Sequence, residues 1–202
     1  MTTCARNCTI IYVANRPKDK GTWAETQAAE FLRKNGWPYA ERRALAGITD
    51  KGDITGCPGL AWEVKYANAG IRMGVWITET YVERGHANAD HAILVIKPKG
   101  RGAAAIDQWL AVMRTWDFEV LSRLSALETF SSTDMAYSGT TVLRDLKDLE
   151  HTTMDSVIPV LVRRPPGTKE KPWEWYRIMS LGNVVKLIRS AGYGEPLSKE
   201  IQ

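Results

Sequence analysis

Residues 53–65 read DITGCPGLAWEVK, and this stretch decides the fold of the first half of the chain. Cys57-Pro58-Gly59 is a turn sequence between two short strand candidates, residues 53–56 and residues 60–65. Apolar side chains alternate with charged or small ones in the second candidate, so one of its faces is apolar and the other carries all its charge. The stretch therefore predicts a β-hairpin with one buried face.

The register of this hairpin decides which charged side chains meet. A loop of three residues sets Asp53 opposite Glu63, with side chains about 5 Å apart, and puts Lys65 on the same face. Two carboxylates this close repel each other, and a divalent cation such as Mg²⁺ is the simplest reason to hold them together. A loop of two or four residues would move Asp53 to the other face unless a bulge repaired the register. An exposed hairpin in which Lys65 pairs with a carboxylate remains the plain alternative.

A helical pattern precedes the hairpin, over residues 22–35, and Gly36 closes it. Glu25 lies on its core-facing stripe, at helical spacing from small apolar residues. Thr22 and Glu25 also match a capping box, in which the glutamate returns to the first amide of the helix. Two roles therefore stay open for Glu25, a helix cap or a partner of the strand carboxylates. Residues 18–21 are predicted as a polar turn.

The rest of the chain continues to alternate between helix and strand patterns. Residues 74–88 have the pattern of a helix, and residues 92–96 form an apolar run typical of a buried strand. Together with the hairpin, these patterns predict a mixed α/β domain. Residues 128–139 are predicted as a polar connector, and residues 140–150 as a further helix.

An internal echo suggests that part of the domain is duplicated. Residues 91–127 and the last third of the chain both read as strand, basic Pro/Gly loop, strand and helix. The matched residues, sixty-six positions apart, are Trp109, Val112, Met113, Leu121 and Arg123 against Trp175, Ile178, Met179, Leu187 and Arg189. The predicted division is a core over 1–127 and an elaboration over 128–202, which either completes the core sheet or mediates assembly.

The composition excludes several other classes of protein. The chain has 202 residues, 44% of them hydrophobic, with a net charge of only +4, which is ordinary for a soluble globular domain and leaves room for a polyanionic partner. Its three cysteines fit neither a disulfide framework nor a four-ligand zinc site. No stretch approaches the ~18 apolar residues of a membrane helix. We expect a cytoplasmic protein without a membrane partner.

These motifs resemble the PD-(D/E)XK nuclease superfamily. The residues that carry the resemblance are Lys20-Gly21-Thr22-x-Ala24-Glu25, then Leu32 and Gly36, then Gly52-Asp53-Ile54, and then Glu63-Val64-Lys65. The likeness covers roughly residues 18–97 and is closest to the archaeal-type Holliday-junction resolvases and related phage and actinobacterial nucleases. It implies a restriction-endonuclease-like mixed central sheet flanked by helices, extended here by an extra strand–strand–helix unit. Gly52 departs from the proline that many members carry there.

The resemblance also implies an activity, the metal-dependent hydrolysis of DNA phosphodiester bonds. It assigns Glu25, Asp53, Glu63 and Lys65 as catalytic, with the three carboxylates holding Mg²⁺ or Mn²⁺ and the lysine positioning the attacking water. The expected substrate is branched DNA, a four-way (Holliday) junction in recombination or repair, cut by a homodimer. The expected location is the cytoplasm, that of the host if a phage encodes the chain. A restriction or repair nuclease with another substrate and a non-catalytic nucleic-acid-binding or assembly protein remain the alternatives.

Basic residues flank the predicted site and are candidates for phosphate contacts, although each one also fits an ordinary solvated charge. The nearest are Lys18, Lys20, Arg42, Arg43 and Lys51. The basic loops of the two echoed units would extend the track for DNA through Lys97, Lys99, Arg101, Arg163, Arg164, Lys169 and Lys171.

Overall fold

The computed structural model describes residues 16–44, 50–67, 71–125, 131–132, 137–138, 156–163 and 173–196. The helices are α1 (Arg16–Lys34), α2 (Met73–Ala87), α3 (Thr115–Leu124) and α4 (Leu181–Ser190), with a short 3₁₀ segment over Ala103–Gln108. The strands are β1 (Glu41–Arg42), β2 (Ile54–Thr55), β3 (Leu60–Tyr66), β4 (His91–Lys97), β5 (Leu110–Arg114), β6 (Ser131–Ser132), β7 (Tyr137–Ser138), β8 (Ser156–Arg163) and β9 (Trp173–Ser180).

The strands form a mixed sheet in the order β1-β2-β3-β4-β5-β9-β8-β6, with β7 also paired to β8. Strands β3 and β4 run parallel, from Leu60 beside His91 to Tyr66 beside Lys97. A parallel pair needs a crossover connection, and α2 supplies it. The pairs β1–β2, β2–β3, β4–β5, β5–β9 and β8–β9 are antiparallel. The predicted α/β class, with a mixed sheet flanked by helices, is confirmed.

Helices cover both faces of the sheet, and this decides where the charged face of β3 points. Helices α1, α3 and α4 share one apolar cluster with Trp62 and Val64. Helix α2 packs on the other face, against residues of β4, β5 and β9. Since side chains alternate along a strand, Glu63 and Lys65 point toward the face covered by α2.

Helix α1 begins at Arg16, six residues before the predicted start at Thr22. Pro17 lies in the first turn, where a missing N–H breaks no helical hydrogen bond. Asp19, also in the first turn, interacts favourably with the helix dipole. Gly21 is accommodated inside the helix at a cost of about 1 kcal/mol. The prediction of a polar turn at residues 18–21 is therefore wrong.

The longer helix also removes the capping box proposed for Glu25. Thr22 lies inside α1, and its carbonyl accepts a hydrogen bond from Thr26 Oγ1 at 2.8 Å. A residue in that position has a helical partner for its own amide and needs no cap. Glu25 is therefore free for the other predicted role, beside the strand carboxylates.

The two echoed units lie side by side in the sheet. Strands β5 and β9 are adjacent and antiparallel, with Val112 directly opposite Ile178, the residue that matches it in the echo. This pairing relates β4-β5-α3 to β8-β9-α4 by an approximate two-fold axis. The outer strand departs from the echo, however. In the first unit, Leu94 pairs with Val112. In the second unit, Leu161 matches Leu94 in sequence, but Ile158 is the residue that pairs with Ile178. The sequence echo and the strand pairing therefore differ by three residues at the outer strand.

The remaining predictions concern the ends and the connector. Strands β6 and β7 lie within the predicted polar connector, and both run parallel to β8. The predicted helix over 140–150 lies outside the described residues. Within the described ranges, no helix combines the length and the apolar character that a membrane crossing requires.

Candidate functional site

The β2–β3 hairpin has the register that a three-residue loop requires. Ile54 pairs with Trp62, so Asp53 and Glu63 come next along the ladder. The regular ladder stops at that step, because the Asp53 N–H donates to the Trp62 carbonyl at 2.8 Å. The Asp53 carboxylate instead accepts from the Val64 N–H, at 2.7 Å. The predicted register is confirmed at Ile54 and Trp62, but Asp53 does not pair with Glu63 across the ladder. The Asp53 carboxylate is instead held against the backbone of β3, the strand that carries Glu63 and Lys65.

Gly52 makes this geometry possible. Its φ is +86°, and a Cβ added there would lie 2.8 Å from the Trp62 carbonyl oxygen. Its N–H donates to Asp50 Oδ1 at 3.1 Å, and its carbonyl accepts from Arg43 Nε at 3.0 Å. Proline is confined to a φ near about −65°. The departure from the family's proline therefore follows from the local backbone.

Gly52→Ala is expected to lower the free energy of unfolding by about 2 kcal/mol, because the new Cβ meets strand backbone at a positive φ. Gly85→Ala is the matched control, since Gly85 lies in α2 and an added Cβ there meets nothing within 4 Å. That change should stabilise the protein by about 0.5–1 kcal/mol. Urea unfolding of both variants measures the difference. Equal stability of Gly52→Ala and the wild type would contradict the backbone placed before Asp53.

Glu63 and Lys65 meet two carboxylates of α2. Lys65 Nζ forms an ion pair with Glu63 and lies 3.4 Å from Glu79 Oε2. Glu63 is only 4% exposed, so the hairpin face is not exposed as the plain alternative required, although the Lys65–carboxylate pair of that alternative is present. Glu83 lies one turn beyond Glu79 and is 7% exposed. Its Oε2 has no hydrogen-bond partner in the part of the chain that the structure describes.

Glu25 approaches Asp53 from α1, the helix on the opposite face of the sheet. Its Oε2 lies 3.4 Å from Arg42 Nη1 on β1. Its negative charge contributes to raising the pKa of Asp53. The structure thus gathers Asp53, Glu63 and Lys65 at one edge of the sheet and holds Glu25 alongside, paired with an arginine.

The carboxyl groups of this cluster hold their protons more tightly than usual. Burial raises the pKa of Asp53 to about 8, and the nearby Glu63 carboxylate raises it further. The hydrogen bond from the Val64 N–H has the opposite effect and lowers this pKa. Burial also raises the pKa of Glu63 to about 7, a rise that Lys65 reduces and Glu83 increases. Burial raises the pKa of Glu83 as well, although the proximity of the Glu63 carboxyl group works against the rise. One lysine therefore does not neutralise the cluster.

Lys65 carries a permanent positive charge in this setting. Burial by itself lowers the pKa of this lysine, but Glu63, Glu79 and Asp53 together raise it above its ordinary value. A side chain that keeps its proton cannot act as a base. Lys65 can donate hydrogen bonds and offset negative charge on a phosphate or on an attacking water.

The donor set fits a hard divalent cation, whereas the present side-chain positions do not enclose one. Carboxylate oxygens are the ligands of Mg²⁺ and Mn²⁺, and a cation would satisfy the unpartnered Glu83 oxygen and relieve the repulsion. Among the described residues, however, no three His, Cys, Asp or Glu side chains converge on one point. Because the Glu63 carboxylate forms an ion pair with Lys65 in this arrangement, that pair must open before Glu63 can bind a metal ion.

The contribution of α2, namely Glu79 and Glu83, was not predicted from the sequence. A signal was present in the sequence. Glu83 continues the buried stripe of α2, seven positions after Trp76 and three after Thr80. A carboxylate on a buried helical stripe needs a partner, and the helix directly follows the Glu-x-Lys strand.

The basic residues predicted to contact DNA divide into two groups. Lys18, Lys20 and Lys51 are exposed, whereas Arg42 pairs with Glu25 and Arg43 donates to the Gly52 carbonyl. The prediction that Lys97 lies in a basic loop is wrong. Strand β4 extends one residue further than predicted, and Lys97 is its last residue and is buried. Lys99 is exposed and Arg101 half-buried, while the side chains of 163, 164, 169 and 171 lie outside the described part.

Other reactive side chains have structural roles. His91 is buried, and its Nδ1 lies 2.8 Å from Asp117 Oδ1, as expected of a core histidine. Burial raises the pKa of the Cys57 thiol to about 12, so the thiol stays protonated and unreactive. Trp109 and Tyr176 are core residues.

Comparison of the chain with protein-family models, curated proteins and solved structures finds no match. The resemblance to the PD-(D/E)XK superfamily therefore depends on the sequence motifs alone, which include Glu25, Asp53, Glu63 and Lys65.

Proposed function

We propose that this protein is a metal-dependent DNA endonuclease with a restriction-endonuclease-like core. The observation that carries the proposal is the hydrogen bond from the Val64 N–H to Asp53 Oδ2, at 2.7 Å. Val64 lies between Glu63 and Lys65, so this bond fixes the aspartate beside the Glu-x-Lys pair. Phosphodiester hydrolysis requires carboxylates that can bind a divalent metal ion and a positive charge close to the phosphate. The buried acidic pair and the charged lysine next to it are side chains of these types.

Each side chain of the cluster has a role in this proposal. Asp53 and Glu63, with Glu83 and Glu25 directly or through water, would hold a Mg²⁺ or Mn²⁺ ion, which would supply positive charge next to the phosphate and lower the pKa of a water molecule. Lys65 leaves Glu63, orients that water and offsets the charge that develops on the phosphate oxygens. Glu25 also keeps Arg42 at the site, where the guanidinium is available to an incoming phosphate.

The proposed substrate is branched DNA, a four-way junction cut by a homodimer. Two symmetric cuts need two sites related by a two-fold axis, and one chain supplies one site. The exposed lysines near the site, Lys18, Lys20 and Lys51, support contact with the phosphate backbone. One observation favours a second candidate, a non-catalytic DNA-binding protein: Lys65 is paired with Glu63 and Glu79, and within the described ranges no three acidic groups converge.

A panel of labelled substrates tests the proposal and separates these candidates. The purified protein is incubated with a four-way junction, a flap and a linear duplex, each with Mg²⁺, with Mn²⁺ and with EDTA. Paired symmetric nicks in the junction, dependent on the metal, are the expected result. Cleavage of the flap or the duplex instead would reassign the substrate. Tight binding to DNA without cleavage under every metal condition would favour the non-catalytic candidate and overturn the endonuclease.

A further inference from the structure

A second cluster of polar side chains lies where β3 and β4 end. Tyr66 and Lys97 are the last residues of the two parallel strands and pair with each other. Lys97 Nζ lies 4.4 Å from the centre of the Tyr66 ring and donates to its hydroxyl at 3.4 Å. Lys20 Nζ, from α1, lies 5.8 Å from the same ring centre. We call Lys20, Tyr66 and Lys97 the lysine–tyrosine cluster.

The cluster holds two positive charges and no negative one. Lys97 is only 5% exposed. The ion pairs within the described ranges involve neither Lys97 nor Lys20. The neighbouring residues 68–70, which lie outside those ranges, contain no Asp or Glu. A buried ammonium group is costly unless it is paired, and the ring and hydroxyl of Tyr66 compensate only part of that cost.

Lys65 lies next to the lysine–tyrosine cluster in the chain but has a different electrostatic environment. Lys65 is the residue before Tyr66 on β3, and it has two carboxylate partners. Since side chains alternate along a strand, Lys65 and Tyr66 point to opposite faces of the sheet. A buried cation with carboxylates is suited to work beside a metal, whereas a buried cation without them is suited to hold an anion.

The position of the cluster favours a ligand that extends past the sheet. Open α/β sheets bind their ligands beyond the carboxyl ends of parallel strands, which is where Tyr66 and Lys97 lie. Trp23 adjoins the cluster, with its ring 6.4 Å from that of Tyr66, and is 38% exposed. An aromatic surface next to two ammonium groups is typical of sites that contact nucleic-acid strands.

We propose that Lys20, Lys97 and the Tyr66 hydroxyl form a binding site for a phosphate group, and that its source is a backbone phosphate of DNA adjacent to the one at the carboxylate site. The ammonium groups and the phenol donate to the phosphate oxygens, and the phosphate supplies the negative charge that the cluster lacks. Only the identification of DNA as the source rests on the proposed function. The capacity to hold a phosphate depends on the cluster alone.

The first experiment measures phosphate binding through thermal stability, with inorganic phosphate as the probe and no divalent metal. The melting temperature of the wild type should rise with phosphate concentration, because the ligand binds the folded state. Lys97→Met should be at least as stable as the wild type in phosphate-free buffer and should lose most of the phosphate-induced rise. Lys186→Met, an exposed position on α4, is the control and should keep the full rise. Equal rises in the wild type and Lys97→Met would overturn the site.

The second experiment measures binding of a labelled DNA duplex at several salt concentrations, again without metal. Each lost phosphate contact should reduce the slope of log affinity against log salt by about 0.9. Lys97→Met should show this change and Lys186→Met should not. Lys20→Met, at an exposed position, carries the same expectation if the buried variant fails to fold. Loss of phosphate stabilisation with unchanged DNA binding would overturn DNA as the source. Because no cleavage is measured, an inactive nuclease can still pass this test, and an active one can fail it.

Discussion

Glu63→Gln is expected to lower metal-dependent DNA cleavage by about 10³-fold or more while the protein stays folded. The glutamate is 4% exposed and faces Lys65 and Glu83, so its charge has no substitute among its contacts. The amide is close in shape to the protonated acid that the raised pKa of Glu63 favours without metal. The variant should therefore keep the packing of β3 against α2 and lose the chemistry.

Asp53→Asn separates the position of the group from its charge. The amide oxygen can still accept from the Val64 N–H, so the contact that fixes this residue is retained. Cleavage should fall as far as in Glu63→Gln, because the charge on the metal ligand is gone. Single-turnover cleavage of the preferred substrate measures both variants, and circular dichroism checks their folding.

Glu79→Gln is the matched control for these variants. Glu79 is exposed, and its Oε2 lies 3.4 Å from Lys65 Nζ. Its loss should change the rate by only a few-fold, about 1 kcal/mol or less, as for other exposed ion pairs. Retained cleavage in Glu63→Gln or Asp53→Asn would sink the assignment of the site. An equal loss in Glu79→Gln would show instead that the charge state of Lys65 is what matters.

The hairpin could be predicted because its information is local. Gly56 and Gly59 have φ values of +78° and +76°, which few other residues adopt, so the turn sequence selects the loop and its length. Once the loop is set, the period of two places Asp53 next to the Ile54–Trp62 pair and Lys65 on the face of Glu63. Chain neighbours and turn chemistry therefore sufficed for the core of the candidate site.

The contribution of α2 could not be predicted in the same way. Glu83 meets Glu63 because a parallel crossover lays α2 over that face of the sheet, a tertiary arrangement that no local pattern specifies. The start of α1 was missed for a different reason. Gly21 and the polar residues before it favour a turn, but Pro17 begins a helix well, and tertiary packing of the later turns outweighs the local preference.

The metal-free protein is expected to lose stability as the pH rises from about 5 to about 8. Asp53 and Glu63 have pKa values of about 8 and about 7 in the folded protein, against ordinary values of 3.8 and 4.5. Between these limits the unfolded chain has released protons that the folded protein still binds. Raising the pH therefore favours the unfolded state, by at most about 1.4 kcal/mol per pH unit for each group. This slope is opposite in sign to that of carboxylates stabilised by ion pairs.

Divalent metal should reverse this trend. A cation binds the ionised carboxylates and competes with protons for them, so Mg²⁺ or Mn²⁺ should raise the melting temperature more at about pH 8 than at about pH 5. Asp53→Asn removes the group with the largest shift, and its stability in EDTA should depend less on pH. Glu83→Gln should reduce the metal-induced rise, because it removes the carboxylate whose Oε2 lacks a partner within the described ranges. Thermal melts at three pH values, with EDTA and with metal, measure all of these effects. Stability that stays flat or rises with pH in EDTA would contradict the raised pKa values, and with them the crowding of buried carboxylates on which the metal site depends.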